Sequence, residues 1–404
     1  MSIIGLPDGC LTKILTFSAN PQAAIACKDF QEQMPFVWKE VVEAYISDPS
    51  VRRFIPISPE ETCSKKVQET YKNIKNLAKT SILPQPSDLA VKGAAQKLNS
   101  FIIFFNKVQE QIPEEHRPRF KEEDHLQRNS HIRAWMQEHP ELLDKISELR
   151  FAKELAFDSV PDEITMLKNL QILDLSNTDI EFIPDGFEFP SLLEFHLKNT
   201  RVRTLPEDFN PPRLVALFLD DSPIENLPEG FHPAELKMCS LNGTKIQSLG
   251  LSVPQLRQLN LNNTPFTHFP EDFNAPELRI LNLSDTPSFR TFPENFNPLK
   301  LWNLNLSNSG FVELPSHCTL PDLSVADFSY TRFASFPEHV RLQKIRTLLL
   351  AKSNIQNLPL NLPCVEALDI RFTPIQIKPT DLKAPRLAQF GFKDRVFQVR
   401  PSNA

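Results

Sequence analysis

The sequence predicts an α/β solenoid, a parallel sheet wound from about eleven short repeats, behind an all-α front region. Three observations carry that prediction. One apolar frame returns every 20 to 23 residues from Leu170 onward. Proline outnumbers glycine 36 to 9, so most turns must be made by something other than glycine. Ahead of the frame, apolar residues fall at helical spacing instead.

The frame is clearest in LQILDLSNTDIEFIPDGF, residues 170–187. With Leu170 as position 0, leucine-like residues fall at positions 0, 3 and 5, Thr at 8, an apolar residue at 10 and Pro at 14. The pattern starts again at Leu192, Leu214, Leu236, Leu256, Leu278, Leu301, Leu323, Ile345, Val365 and Leu387. A fixed period of this length with this spacing is the leucine-rich repeat signature. An imperfect copy, Ile146, Leu149 and Phe151 running to Val160-Pro161, is expected to start the stack.

Each element of the frame has a physical task. Positions 0, 3 and 5 point inward and are buried against the neighbouring repeats, because one repeat alone has no closed core. Strands of successive repeats then pair in parallel at roughly 4.8 Å, with the strands on the concave face. Position 8, where the usual repeat has Asn, carries Thr178, Thr200, Ser222, Thr244, Thr264, Thr286, Ser309, Thr331, Ser353 and Thr373. A hydroxyl buried there can both donate to and accept from the turn backbone. Arg395 ends that series, as expected of a terminal repeat facing solvent. Position 14 is Pro184, Pro206, Pro228, Pro270, Pro293 (after a one-residue insertion), Pro315, Pro337, Pro359, Pro379 and Pro401. Proline donates no hydrogen bond and suits an outer wall without a ladder partner. Three residues on, Phe187, Phe209, Phe231, Phe273 and Phe296, then Cys318, Val340, Leu362 and Leu382, are expected to form an outer core spine.

Strand side chains alternate, so positions 2, 4, 6 and 7 are expected on the concave side. The middle of that face is rich in amides, including Asn260, Asn282 and Asn305, and acids flank it, Asp327 among them. Phe218, Tyr330, Leu349 and Phe372 stand out as apolar. A broad polar surface with a few aromatic anchors suits protein recognition. These eight residues are the expected contacts for a protein substrate. The alternative is that the polar residues merely keep the inner face soluble, but a solenoid has little other use for its curvature.

The front third reads as helices. Ser58 and Glu61 form a capping box, with Pro59 at the first helical position. Over residues 87–111, Val91, Ala94, Ala95, Leu98, Phe101, Phe105 and Val108 share one helix face. HIRAWMQEHPELLDKI leads into the first repeat, with Trp135 and Met136 placed to cover an open end of the stack. At the start of the chain, LPDGCLTKILTFS spaces Leu6, Leu11, Ile14, Leu15 and Phe17 for an amphipathic helix. Two more short helices follow, around Cys27-Lys28 with Phe30 and Met34, and from Val37-Trp38. Such a unit of about 45 residues is too small to be very stable alone.

The order Leu6-Pro7, Ile14-Leu15, Cys27-Lys28 with Phe30, then Val37-Trp38 resembles an F-box over roughly residues 4–46. Gly9 stands where a Glu is common in that family, Phe30 replaces the usual Trp, and the span to Trp38 is shorter than usual. The resemblance implies that Leu6, Pro7, Ile14 and Leu15 contact a Skp-type adaptor of a cullin ubiquitin ligase, while the repeats select the substrate. F-box segments joined to leucine-rich repeats are a familiar family arrangement, and a bacterial effector could carry the same pair. The competing reading is a leucine-rich binding or scaffold protein whose front helices are only a cap.

Other classes find little support. A net charge of -6 and a pI near 5.9 argue against a dedicated nucleic-acid surface. FIIFF, residues 101–105, falls far short of the ~20 apolar residues of a membrane span. The opening MSIIGLPDGC has no basic residue before its apolar part and does not read as a secretory signal. Cys10, Cys27, Cys63, Cys239, Cys318 and Cys364 form no C-x-x-C pair and read as reduced, packed thiols of a cytoplasmic protein, or of host cytosol for an exported effector. Cys27-Lys28-Asp29 resembles the C-x-D nucleophile motif of secreted bacterial leucine-rich-repeat ubiquitin ligases, whose catalytic domain follows the repeats. An apolar helix face suits a packed, inert Cys27 better. Histidines lack ligand spacing and the glycines form no phosphate loop, so no metal, cofactor or catalysis is expected. The expected organisation is an F-box-like unit over 1–46, a helical connector over 47–145 and the solenoid over 146–404. Outside its complex the chain is expected to be a monomer.

Overall fold

A computed structural model describes residues 88–119 and 125–399, apart from 185, 188, 251, 252 and 378. The F-box-like stretch, with Leu6, Pro7, Ile14 and Leu15, lies outside the described residues, as do Cys27 and the capping box at Ser58. The described residues divide into two compact units, one running to Leu167 with Thr178–Ile180 added, the other from Lys168 onward.

The first unit is mainly helical. It contains α1 (Asp88–Glu110), a short 3-10 turn (Glu114–His116), α2 (His125–Glu138), α3 (Pro140–Leu143) and the strand β1 (Glu148–Arg150). As the helical spacing predicts, Phe101, Phe105 and Val108 of α1 are buried, together with Phe104 and Ile112. Met136 of α2 is fully buried, whereas Trp135 is only half-buried, edge-on to Phe105 at 5.8 Å and stacked on His139 at 4.7 Å. Arg133 lies 4.7 Å over the Phe101 ring and donates to the Glu163 carboxylate at 2.6 Å. The imperfect copy of the repeat, with Leu149 buried in β1, falls in this unit.

The second unit is a parallel-strand solenoid. Eleven three- or four-residue strands, β2 (Ile172–Asp174), β3 (Glu194–His196), β4 (Ala216–Phe218), β5 (Met238–Ser240), β6 (Gln258–Asn260), β7 (Ile280–Asn282), β8 (Asn303–Asn305), β9 (Val325–Asp327), β10 (Thr347–Leu349), β11 (Ala367–Asp369) and β12 (Gln389–Phe392), lie in sequence order. They match the eleven frames one to one. Register is strict: position 3 always meets position 3, as in Leu281 against Leu304. An antiparallel strand, β13 (Arg395–Gln398), pairs with β12 after a tight turn at Lys393, φ 55°. Arg395, expected to face solvent, is exposed and opens this return strand.

The hydroxyl row behaves as its chemistry predicts. Thr200, Ser222, Thr244, Thr264, Thr286, Ser309, Thr331, Ser353 and Thr373 each donate to the position-5 carbonyl three residues earlier, at 2.5 to 3.0 Å. In two repeats the same oxygen also accepts, from the N–H of Phe311 at 3.4 Å and Phe333 at 3.3 Å. The proline row differs from expectation. Its carbonyl closes a turn, accepting the N–H three residues on, as from Phe209 to Pro206 and Phe231 to Pro228 at 3.0 Å. Two positions before it a sparse second ladder does form, at Ser248–His268, Thr291–Glu313 and Ser335–Asn357. The N–H groups this ladder uses are those of Thr267, Val312 and Gln356, three residues before the proline, so proline costs the outer wall no bond.

The predicted outer spine is buried from Phe187 to Leu382. A second column stands beside it at position 10, where Phe266, Phe289 (one residue on, after the insertion), Phe311 and Phe333 are fully buried. Their rings stack at 5.9, 6.0 and 5.7 Å in turn. Cys239 and Cys318 are buried free thiols. Burial raises the pKa of Cys239 to about 12, with the charge of Asp220 adding, and raises that of Cys318 to about 12. Neither is reactive near neutral pH.

Candidate functional site

The strand face of the second unit is built from rows of equivalent positions along the stack. Position 4 forms the central one, running by direct Cα pairing from Phe218 through Ser240, Asn260, Asn282, Asn305, Asp327 and Leu349 to Asp369. Six of the eight residues singled out in the sequence thus lie side by side. All six are half-buried.

Four of them also serve their own chain. The Oδ1 atoms of Asn260, Asn282, Asn305 and Asp327 accept the N–H two residues on, at 3.2, 3.0, 3.0 and 2.8 Å. This is an Asx turn, which fixes the exit of the strand. Asp174 and Asp369 do the same. Phe218 and Leu349 occupy this position without being able to make that bond. Phe218 is stacked on His196 at 4.6 Å, with Lys198 Nζ 4.6 Å over its ring and 3.0 Å from the Asp220 carboxylate.

Position 7 forms the row at the strand exits and holds the most telling residues. In every repeat from β2 to β11 it has positive φ, between 52° and 67°. Its N–H donates to the position-6 carbonyl of the next repeat, so the stack imposes the conformation. In the first seven repeats the residue suits it: Asn177, Asn199, Asp221, Gly243, Asn263, Asp285 and Asn308. At Gly243 a Cβ would also run into the Asp221 side chain. The next three are Tyr330, Lys352 and Phe372, none of which favours the left-handed region. Their N–H groups keep the ladder bonds, at 2.8, 2.9 and 3.0 Å.

These three side chains form a ladder. Tyr330 and Phe372 are 55% and 57% exposed, and Lys352 Nζ lies between them, 4.7 Å from one ring centroid and 5.7 Å from the other. Beside Phe372, Arg371 makes a two-pronged bond to Asp369, Nε to Oδ1 at 2.9 Å and Nη2 to Oδ2 at 2.7 Å. That hydrogen bond first, then the carboxylate charge, raises the guanidinium above its ordinary pKa. Leu349 lies one repeat from each of Asp327 and Asp369. Tyr330, Leu349 and Phe372 stand out in the sequence, but Lys352 does not. Its signal is present in the run of Asn, Asp and Gly at position 7, which breaks at Tyr330, Lys352 and Phe372.

The fold is a leucine-rich repeat solenoid. No protein-family model and no curated protein matches the chain. Solved structures do. Toll of Drosophila, in its complex with Spatzle, aligns with a TM-score of 0.52 at 17% identity, covering 63% of this chain and 39% of that one. YopM of Yersinia pestis, a leucine-rich effector protein, aligns with a TM-score of 0.49 at 17% identity, covering 72% and 88%. A leucine-rich repeat protein of Leptospira interrogans aligns at 0.46 and 19% identity, covering 64% and 81%. At such identities the likeness is one of fold. Among the described residues no helix is long and apolar enough to cross a membrane, and no cluster of His, Cys, Asp or Glu could hold a metal ion.

Proposed function

We propose that the second unit is a protein-recognition module whose anchor is Tyr330, Lys352 and Phe372. One observation carries this reading: two large aromatics, two repeats apart with a lysine in the repeat between them, are held exposed at backbone positions that disfavour them. Strain of that kind persists where the surroundings impose it and a function uses it. Packing does not explain it, since both rings face solvent. Aromatic side chains supply much of the binding energy at protein interfaces. Toll, solved with its protein ligand Spatzle, supports the general use of the fold.

The test is affinity capture from a eukaryotic lysate with the full chain. The wild type is expected to retain a discrete protein, and Tyr330→Ala/Phe372→Ala to retain at least about tenfold less of it, as loss of an interface hot spot implies. Equal retention by both chains ends the anchor reading.

Recruitment of a ubiquitin ligase is a finer reading that rests on residue order alone, from Leu6-Pro7 to Trp38. It assigns a Skp-type adaptor to Leu6, Pro7, Ile14 and Leu15. Purified adaptor is then expected to bind the wild-type chain and not Leu6→Ala/Pro7→Ala. No binding, or equal binding, removes the ligase link and leaves a leucine-rich scaffold with a helical cap.

A further inference from the structure

The strand entries, position 1, border the strand face and carry a feature that the anchor does not use. Lys237, Arg257 and Arg279 succeed one another there in three adjoining repeats. Among the described residues none of the three has a carboxylate within ion-pair distance. Glu277, two residues before Arg279, is hydrogen-bonded to Lys300 at 2.5 Å, and that bond first, with the charges of Arg257 and Arg279 adding, holds its carboxyl below the usual range. Counting Glu235 as well, this edge sets four cations against two carboxylates in a chain of net charge -6.

On the face beside the row, among the described residues of these repeats, one carboxylate stands at position 7, Asp285, which accepts from the Asn308 amide at 2.6 Å. Over β5 to β8, positions 2, 4 and 6 hold no carboxylate; they are amides, serines, Met238 and Ile280. Acids return at both ends, as Asp220 after β4 and Asp327 in β9. Two exposed apolar side chains flank the cations, Met238 at 37% and Trp302 at 41%. The window spans three strand spacings, about 14 Å, the length of four or five extended residues.

We infer that this window takes an acidic segment of the protein partner, with carboxylates on Lys237, Arg257 and Arg279 and an aliphatic side chain against Trp302. The inference rests on the strand face being a recognition surface, and it gives the partner its charge. A nucleic acid fits less well. Its phosphates would continue past the window into Asp220 or Asp327, and three cations make a short footprint for a polyanion.

The probe is a short fluorescein-labelled peptide of Glu and Asp with one central Leu, titrated against the full chain by anisotropy at low salt. It is expected to bind more tightly than its Gln/Asn counterpart and to weaken as salt rises. Arg257→Gln/Arg279→Gln should weaken it by about tenfold, as the loss of two exposed charge contacts implies. Lys245→Gln/Lys383→Gln, which removes two exposed cations outside position 1, should leave it unchanged. Equal binding of acidic and neutral peptides, or an unchanged affinity in the double Arg variant, overturns the inference. Tighter binding of a labelled single-stranded oligonucleotide of equal charge also overturns it, in favour of a polyanion site. Lysate capture with the Tyr330 and Phe372 variants judges the anchor separately, so either reading can fail alone.

Discussion

Replacing Tyr330 and Phe372 together by Asn is expected to make the protein more stable while abolishing capture of its partner. A residue with a bulky side chain in the left-handed region costs roughly 1–2 kcal/mol, and Asn tolerates that region far better. The seven earlier repeats show that Asn, Asp or Gly serves this turn in the same stack. Against the gain stands the loss of two exposed lysine–ring contacts, worth about 0.5–1 kcal/mol each. The balance is a net stabilisation of about 1 kcal/mol. It is measurable as a higher urea midpoint at unchanged slope. Stability and binding moving in opposite directions is the mark of strain kept for function. A lower midpoint would show instead that the ladder serves the fold, and the anchor reading would lose its basis.

The legibility of this chain follows from which backbone rule each residue obeys. Leu173, Phe195, Leu217 and their successors at position 3 are apolar because burial demands it, so the periodic frame locates every strand of the solenoid and its register. The buried hydroxyls are equally readable, since a polar group at a fixed core position must find a partner. Position 4 is harder. Asn282 and Asn305 look the same whether they bond a partner or their own backbone, and only the geometry shows Oδ1 committed to Ser284 and Ser307. Position 7 is legible in principle through its Asn, Asp and Gly, but its rule concerns a dihedral angle, which hydrophobic periodicity does not report. Lys352 escapes for that reason. The row of Lys237, Arg257 and Arg279 escapes because its members are separated by 20 and 22 residues in the chain and adjoin only once the repeats are stacked. The proline row is legible as an outer wall but not as the start of a turn.

Phe311→Ala supplies the opposite case to the Asn variants. This ring is fully buried and packs on Phe289, Phe292, Phe328 and Phe333 at 6.0, 5.5, 6.0 and 5.7 Å. Truncation removes those contacts and leaves a cavity that the rigid coil of turns cannot close, at a cost of about 3–5 kcal/mol. Repeats contact only their neighbours, so the loss falls on both junctions of the β8 repeat, with the β7 repeat through Phe289 and Phe292 and with the β9 repeat through Phe328 and Phe333, and it uncouples the C-terminal part of the stack. The urea transition is expected to shift down and to split, with the C-terminal repeats melting first. Those repeats carry Tyr330, Lys352 and Phe372, so capture should fail at temperatures where they have melted and return on cooling below that transition. Phe311→Leu, which keeps most of the volume, should lose under about 1.5 kcal/mol and retain capture. A Phe311→Ala chain that still holds the partner after its C-terminal repeats have melted would place the anchor elsewhere on the strand face, toward Phe218 and Lys198.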